Sequence, residues 1–291
     1  MSKLFWLTAS VAVLVATPLL VQPPADAFAP KKAKLVAAPS PATCNEDYLG
    51  GQPPKIITPT GAGSGRIFCH SFYSLAYSSS YFNPIWISYH LTRELAVGGD
   101  KTNRLNGKAF KGQAGLTPAQ QGRHKDYKHP PYDRGHMTPA DDAIDEPHQL
   151  DTFVITNVVP QTIELNERLR RYLEASVHRL ARDEGEVYIV TGPIYRHAPP
   201  ILMHKPRRPD RIRVPTYTFK AIYLPGRDLA IGFIAENTAT PGCVTVPIDE
   251  VARQSGIEPF PSLPAATEAA LPAFTLPQGD RVDLPDCHPA P

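Results

Sequence analysis

The 291-residue chain has no Cys-x-x-Cys pair among its four cysteines, which removes the ligand spacing of a zinc ribbon and the redox motif of a thioredoxin-like site. It has no internal repeat, and past Val21 it has no run apolar enough to span a bilayer. Neither sign of charge dominates: 30 Lys and Arg face 28 Asp and Glu, for a net +2 and a pI of about 8.3, so bulk composition names no partner. Proline is the residue in excess. Its 33 copies are more than twice an average share and are spread along the chain, which excludes a long coiled coil and an all-helical bundle. With 42% hydrophobic residues the chain is long enough for one large domain or two small ones with a buried core, and mixed α and β with long loops is the expectation.

The N-terminus carries a targeting pattern. Lys3 precedes the apolar run Leu4 to Val21, and Ala25-Asp26-Ala27 follows, which reads as a secretory signal over residues 1–27 cleaved after Ala27. The competing reading is an uncleaved anchor facing outside the cytoplasm; Pro18, Pro23 and Pro24, which break the run, favour cleavage. A cleaved chain is secreted or periplasmic and has no stable membrane association. Cys44, Cys69, Cys243 and Cys287 all lie beyond the signal, so two disulfides are expected. Of three pairings, Cys44–Cys69 with Cys243–Cys287 is favoured, because each bridge would pin a loose segment; Cys44 with Cys243 or Cys287 would instead bring the chain ends together. Residues 28–65 read as a Pro- and Gly-rich arm, 66–258 as the compact domain and 259–291 as a Pro-rich acidic tail. Within the domain, a pair of strands is expected from Ile67 to Tyr89, and further strands at Phe153–Thr156, at Val187–Val190 ended by Gly192-Pro193, and as a hairpin across Pro225–Asp228; a helix is expected from Gln161 to Asp183.

Charge is segregated. Residues 100–135 read as an exposed basic loop; the local balance is +6 over residues 101–140, +5 over 196–213 and −5 over 249–291. Two basic segments are the footprint of a protein that meets a polyanion, and they point to nucleic acid. Between them lies Tyr132-Asp133-Arg134-Gly135-His136-Met137, followed by Asn157-Val-Val-Pro-Gln. On an extended backbone Arg134 and His136 share a face. An imidazole can take a proton from water while a guanidinium pairs with phosphate oxygens, so this pair suits phosphate-ester chemistry.

The helix supplies the rest. Leu165, Leu169, Leu173, Val177 and Leu180 form an apolar stripe that packs on a sheet, and Asn166, Arg170, Glu174 and His178 recur every four positions beside it. An asparagine oxygen with a carboxylate two turns on is a hard-donor arrangement suited to Mg²⁺.

In order, the blocks Pro84-Ile-Trp-Ile-Ser-Tyr, Tyr-Asp-Arg-Gly-His-Met, Asn157-Val-Val-Pro-Gln, Leu165-Asn166 with Leu173-Glu174, Thr191-Gly-Pro-Ile, and Val214-Pro-Thr before Phe219-Lys220 resemble those of the DNA/RNA non-specific endonucleases of the ββα-metal, or His-Me finger, type. The resemblance covers roughly residues 66–258. It implies an α+β fold, with an antiparallel sheet core and a metal-bearing helix packed on it. It implies hydrolysis of DNA and RNA to 5′-phosphate ends with Mg²⁺, for which Mn²⁺ could substitute, and leaves a homodimer open. By the resemblance His136 is the general base, Asn166 the metal ligand and Glu174 a holder of metal-bound water, while Arg134 and Asn157 support the phosphate and the site. Arg104, His178 and Arg179 are weaker candidates for substrate contacts. Two positions depart from the family pattern: Arg170 stands where a tryptophan is usual, and His178 where an arginine is frequent. Two other classes compete: a nucleic-acid-binding protein on an inactivated nuclease fold, and an exported phosphodiesterase for small substrates.

Overall fold

The computed structural model describes residues 44–59, 61–105, 109–127, 130–196, 199–202, 212–277 and 287–290. The signal or anchor, residues 28–43 of the arm and part of the second basic segment lie outside them. The elements run β1 (Lys55–Ile56), β2 (Arg66–Cys69), β3 (Ser74–Ser78), β4 (Asn83–Thr92), α1 (Arg93–Gly99), β5 (Tyr132–His136), α2 (Glu146–Thr152), β6 (Val158–Thr162), α3 (Arg171–Glu184), β7 (Glu186–Ile194), β8 (Tyr217–Leu224), β9 (Leu229–Glu236), β10 (Cys243–Val246), α4 (Ile248–Ser255), β11 (Ile257–Glu258), α5 (Ala265–Ala269) and β12 (His288–Pro289). Among the described residues, no helix is long and apolar enough to cross a membrane.

The centre is an eight-stranded sheet in the order β12-β10-β9-β8-β7-β4-β3-β2, antiparallel except for the β10–β12 pair. Both faces are covered, and alternation along each strand divides the side chains between two cores. Ile87, Tyr89 and Leu91 of β4 and Ile231 and Phe233 of β9 face α3, whose Leu173, Val177 and Leu180 join the same core. Trp86, Val190, Phe219 and Ile234 face the other way, toward Val251 of α4. The apolar stripe expected on the helix is therefore the face that packs on the sheet.

Several local expectations change. The span from Ile67 to Tyr89 holds three strands rather than a pair, because the chain also turns between Cys69 and Ser74 and β2 pairs back on β3. Phe153–Thr156 is not a strand: the Phe153 amide bonds Leu150 O at the end of α2 and Asn157 N bonds Val154 O, so the chain turns before β6 begins. The helix does not start at Gln161, because Gln161 and Thr162 are already paired with Asp133 and Tyr132 in the β5–β6 hairpin. β7 runs through Gly192-Pro193 rather than ending there. Past Thr191 it pairs with β8 alone, where a missing proline N–H is tolerated. The 100–135 loop is not simply exposed, since Tyr127 is fully buried and Gln113 and Gln121 clasp one another, Gln113 N to Gln121 Oε1 at 2.6 Å and Gln121 Nε2 to Gln113 O at 3.1 Å.

Both ends of the described chain join this body. Tyr48 packs edge-on to Trp86, with centroids 6.2 Å apart, and β1 pairs with β11. Cys44 bonds Cys69 and Cys243 bonds Cys287, the favoured pairing. Leu276 enters the α3 core, and β12 adds in parallel to β10.

Candidate active site

The site is built on the β5–β6 hairpin and the helix that follows it. Arg134 pairs with Pro160, Gly135 with Val159 and His136 with Val158. Gly135 faces away from the Arg134–His136 side, and a Cβ there would lie 2.1 Å from Cδ of the buried Gln161. Only glycine lets the two strands close at this point. After β6, residues Leu165–Arg170 form a π-helical turn that runs into α3 without a break. Such wide turns inside helices are often found at functional sites.

Arg104, Arg134, His136, Asn166 and Glu174 converge on one cavity of about 430 Å³, with Phe110, Asp141 and Glu167 also in its wall. The His136 ring reaches this cavity, yet its Nε2 is shielded and has no hydrogen-bond partner among the described residues. Burial, then the guanidiniums of Arg104, Arg134 and Arg170, push its pKa down to about 3, so the ring is neutral at pH 7. Arg104 on the rim pairs with Asp141 at 2.6 Å. Arg134 lies 3.6 Å from Asp133 and stacks its guanidinium over Phe110.

Asn157 does not line the cavity. Its Oδ1 accepts from Thr138 N at 2.9 Å, and its Nδ2 donates to Thr138 O at 3.0 Å and Thr152 O at 2.9 Å. Fully buried, it clasps the chain just after His136 to the end of α2.

His178 and Arg179 face a neighbouring cavity that shares Pro139, Asp141, Arg171 and Glu174 with the first. His178 is held by Asp142 (Nδ1, 2.8 Å) and Asp100 (Nε2, 3.2 Å). Burial would lower its pKa, but these two carboxylates outweigh it and raise the value. Arg179 donates to Pro277 O at 2.7 Å and Ser176 Oγ at 3.2 Å, tying the helix to the C-terminal segment.

The sequence pattern does not foretell that Arg170, Glu174 and Lys220 form a buried charged layer beneath the cavity. Arg170, only 2% exposed, donates from Nη2 to Glu174 Oε1 (3.2 Å), His136 O (3.3 Å) and Met137 O (3.4 Å). It thus binds the end of β5 to α3. Lys220 on β8, also 2% exposed, donates to Tyr89 Oη at 3.3 Å. Burial and the Arg170 charge bring its pKa down to about 8, although Glu174 and Asp142 act to raise it. Burial in turn lifts the Glu174 carboxyl, with Arg170 and Lys220 pulling it back. Lys220 shows in the sequence only as part of the Phe219-Lys220 block, because a lone lysine in an apolar strand carries no periodic signal; Arg170 shows as a member of the polar stripe and as a departure from the family pattern, neither of which tells that it is buried.

A strand hairpin presenting a histidine, followed by a helix that brings an asparagine to the same cavity, is the ββα-metal nuclease arrangement, within an α+β fold. The chain belongs to the DNA/RNA non-specific endonuclease family, whose sequence model matches residues 53–266. It is similar to the mitochondrial nuclease of Saccharomyces cerevisiae, 32% identical over 213 residues, which are 65% of this chain and 64% of that one. Nuclease C1 of Cunninghamella echinulata is 30% identical over 234 residues, 73% of this chain and 90% of that protein. A chain from the crystal structure of the EndoG/EndoGI complex superposes with a TM-score of 0.59 at 26% identity, covering 73% of this chain and 92% of its own length. The chain spans less than two thirds of the length of the mitochondrial relatives it matches.

Proposed function

We propose that this protein is an exported, metal-dependent endonuclease that hydrolyses phosphodiester bonds of DNA and RNA and leaves 5′-phosphate ends. The observation that carries the reading is a neutral histidine, shielded at Nε2, in one cavity with Arg104, Arg134, Asn166 and Glu174. With Nε2 shielded, Nδ1 is the nitrogen left to take a proton from water. Arg104 and Arg134, which help depress the His136 pKa, are also the groups a phosphate would neutralise. Substrate binding therefore relieves that part of the depression and makes the ring more basic, while burial and Arg170 continue to hold it down. Contacts of this kind go to phosphates, which fits indifference to base and sugar.

The donor set fits Mg²⁺, with Mn²⁺ as a substitute. Asn166 offers a neutral oxygen and Glu174 and Glu167 offer carboxylates on the same cavity, all hard donors. Among the described residues no group of three His, Cys, Asp or Glu could hold a metal alone. Asn166 would be its direct ligand, and Glu174 would hold coordinated water. When bound, the metal would neutralise charge on a non-bridging and the departing 3′ oxygen.

Export is supported by the two disulfides, which belong to an oxidising compartment, together with the signal pattern of residues 1–27. The test is incubation of purified protein with plasmid and with RNA, in Mg²⁺ or EDTA, followed by end mapping. Metal-dependent nicking with 5′-phosphate ends supports the reading. Retardation without cleavage selects a binding protein on the same fold, and turnover of small phosphodiesters alone selects the third class.

A further inference from the structure

Histidines that work as bases are usually oriented by a hydrogen bond to the second ring nitrogen. His136 Nε2 has none, so its ring is held by something else. Two phenylalanines enclose it. The Phe110 centroid lies 5.1 Å away at 36°, and the Phe153 centroid 4.9 Å away at 76°. The two phenylalanines also meet each other edge to face at 5.0 Å. Phe153 is buried, whereas Phe110 is half-buried and forms part of the cavity wall.

Phe110 makes a second contact that Phe153 does not. The Arg134 guanidinium carbon sits 4.6 Å from its ring centroid, within cation–π range. One ring therefore touches both side chains that the proposed reaction needs. Its backbone is fixed as well. Lys111 N bonds Phe153 O at 2.9 Å and Ile155 N bonds Lys111 O at 3.0 Å, which seats the 110–111 segment beside 153–155.

We propose that Phe110 is a positioning residue for cleavage, a single aromatic ring that sets the His136 imidazole and the Arg134 guanidinium against the same phosphate. The proposal rests on His136 acting as the base. Its face is already covered by Arg134, so its task is to orient these groups rather than to stack on a nucleobase.

The test compares Phe110→Ala, Phe110→Leu, Phe110→Tyr and Phe110→Trp with wild type on plasmid in Mg²⁺. Misplacing a catalytic group by about 1 Å costs on the order of 100-fold. F110A is therefore expected to lose about 10- to 100-fold in kcat with KM changed less than about threefold. F110Y and F110W, which keep a ring, should stay within about threefold of wild type. F110L fills the space without a π face and should remain about tenfold down, which separates ring contacts from packing. If F110A does not fold, F110L carries the test. Wild-type rates in F110L, or in a folded F110A, overturn the proposal. An activity-independent measurement stands beside the kinetics: the NMR order parameter of the His136 ring C–H, expected to fall in F110A and F110L relative to wild type. If wild type cleaves nothing, the nuclease reading fails; an unchanged order parameter overturns the role of Phe110 on its own.

Discussion

Replacing Arg170 by methionine removes a buried guanidinium while keeping most of its volume. The loss falls on three partners: Glu174 loses its ion pair, and the carbonyls of His136 and Met137 lose a donor. Breaking a buried pair from one side costs about 3–5 kcal/mol. The Glu174 side chain keeps 21% of its exposure and Lys220 remains close by, so the lower end applies, about 3 kcal/mol at pH 8. The pH dependence has a fixed sign. Burial already raises the Glu174 pKa in the folded state, and removing Arg170 raises it further. The folded variant then holds a proton that the unfolded chain releases, so stability is lost as pH rises through the raised value and regained below it. Urea unfolding in EDTA at pH 5 and pH 8 should show the R170M penalty shrinking at the lower pH, with m unchanged. In the double variant R170M with E174Q, coupling of about 1.5 kcal/mol or more is expected, since the stranded charge is gone. A penalty below about 1 kcal/mol at pH 8, equal penalties at both pH values, or no coupling would refute the reasoning.

Three further expectations concern the base, the metal and a buried acid. His136→Ala should reduce nicking by about 100-fold or more and leave DNA retardation intact, because Nε2 has no partner to strand. An unshifted imidazole protonates below about pH 6.5, but with its pKa at about 3 the ring of His136 stays neutral. The kcat/KM profile should therefore run level through pH 6.5, and replacing Arg104, which removes one of the charges that depress the ring, should move the acidic break upward; a break at pH 6.5 in wild type would refute this. Asn166→Ala should raise the Mg²⁺ concentration for half-activation about tenfold or more, and by more than Glu174→Gln does; the reverse order in a metal titration would exchange their roles. Asp47 is buried on the other side of the sheet, and burial raises its pKa from 3.8 to about 7, so the folded form loses stability as pH rises from about 4 and the loss is complete above about 7. Asp47→Asn should accordingly raise the melting temperature at pH 8 and change it little at pH 4, as thermal denaturation at the two values would show.

Much of the scaffold is legible because burial follows period. The four-residue recurrence Leu165, Leu169, Leu173, Val177 marks one helix face, and all four are buried against the sheet. The β8–β9 hairpin is legible because its turn residues sit between two apolar runs, and Asp228 does adopt a left-handed conformation at φ 46°. Arg134 and His136 fall on one face because a strand alternates. The Phe153–Thr156 segment misleads for the opposite reason. Its β-branched and aromatic residues suit a strand, but the backbone bonds of Phe153 and Asn157 close back on α2 and on Val154, contacts that composition does not encode. Phe110 is equally silent, one aromatic residue in a basic loop whose partners lie 26 and 43 positions away in sequence.

The polar stripe is the instructive case, because its spacing is right and its geometry is not. In an α-helix each four-residue step overshoots a full turn by about 40°, so Asn166, Arg170, Glu174 and His178 should fan steadily around the axis. The structure places Asn166 and Glu174 on the cavity that His136 reaches, buries Arg170 and turns His178 toward the adjoining cavity. The π turn over Leu165–Arg170 accounts for this. A wider turn rotates less per residue, so the step from Asn166 to Arg170 falls short of a full turn while the step from Arg170 to Glu174 overshoots it. The two errors have opposite signs. They return Glu174 to the side of Asn166 and leave Arg170 displaced toward the interior, where its guanidinium finds Glu174 and the carbonyl of His136. From Glu174 to His178 the helix is regular and the overshoot is not cancelled, which carries His178 round to Asp142 and Asp100. In a helix regular throughout, the eight positions from Asn166 to Glu174 would overshoot two full turns by about 80° and carry Asn166 away from the cavity where the metal is proposed to bind, and the π turn is what removes that offset.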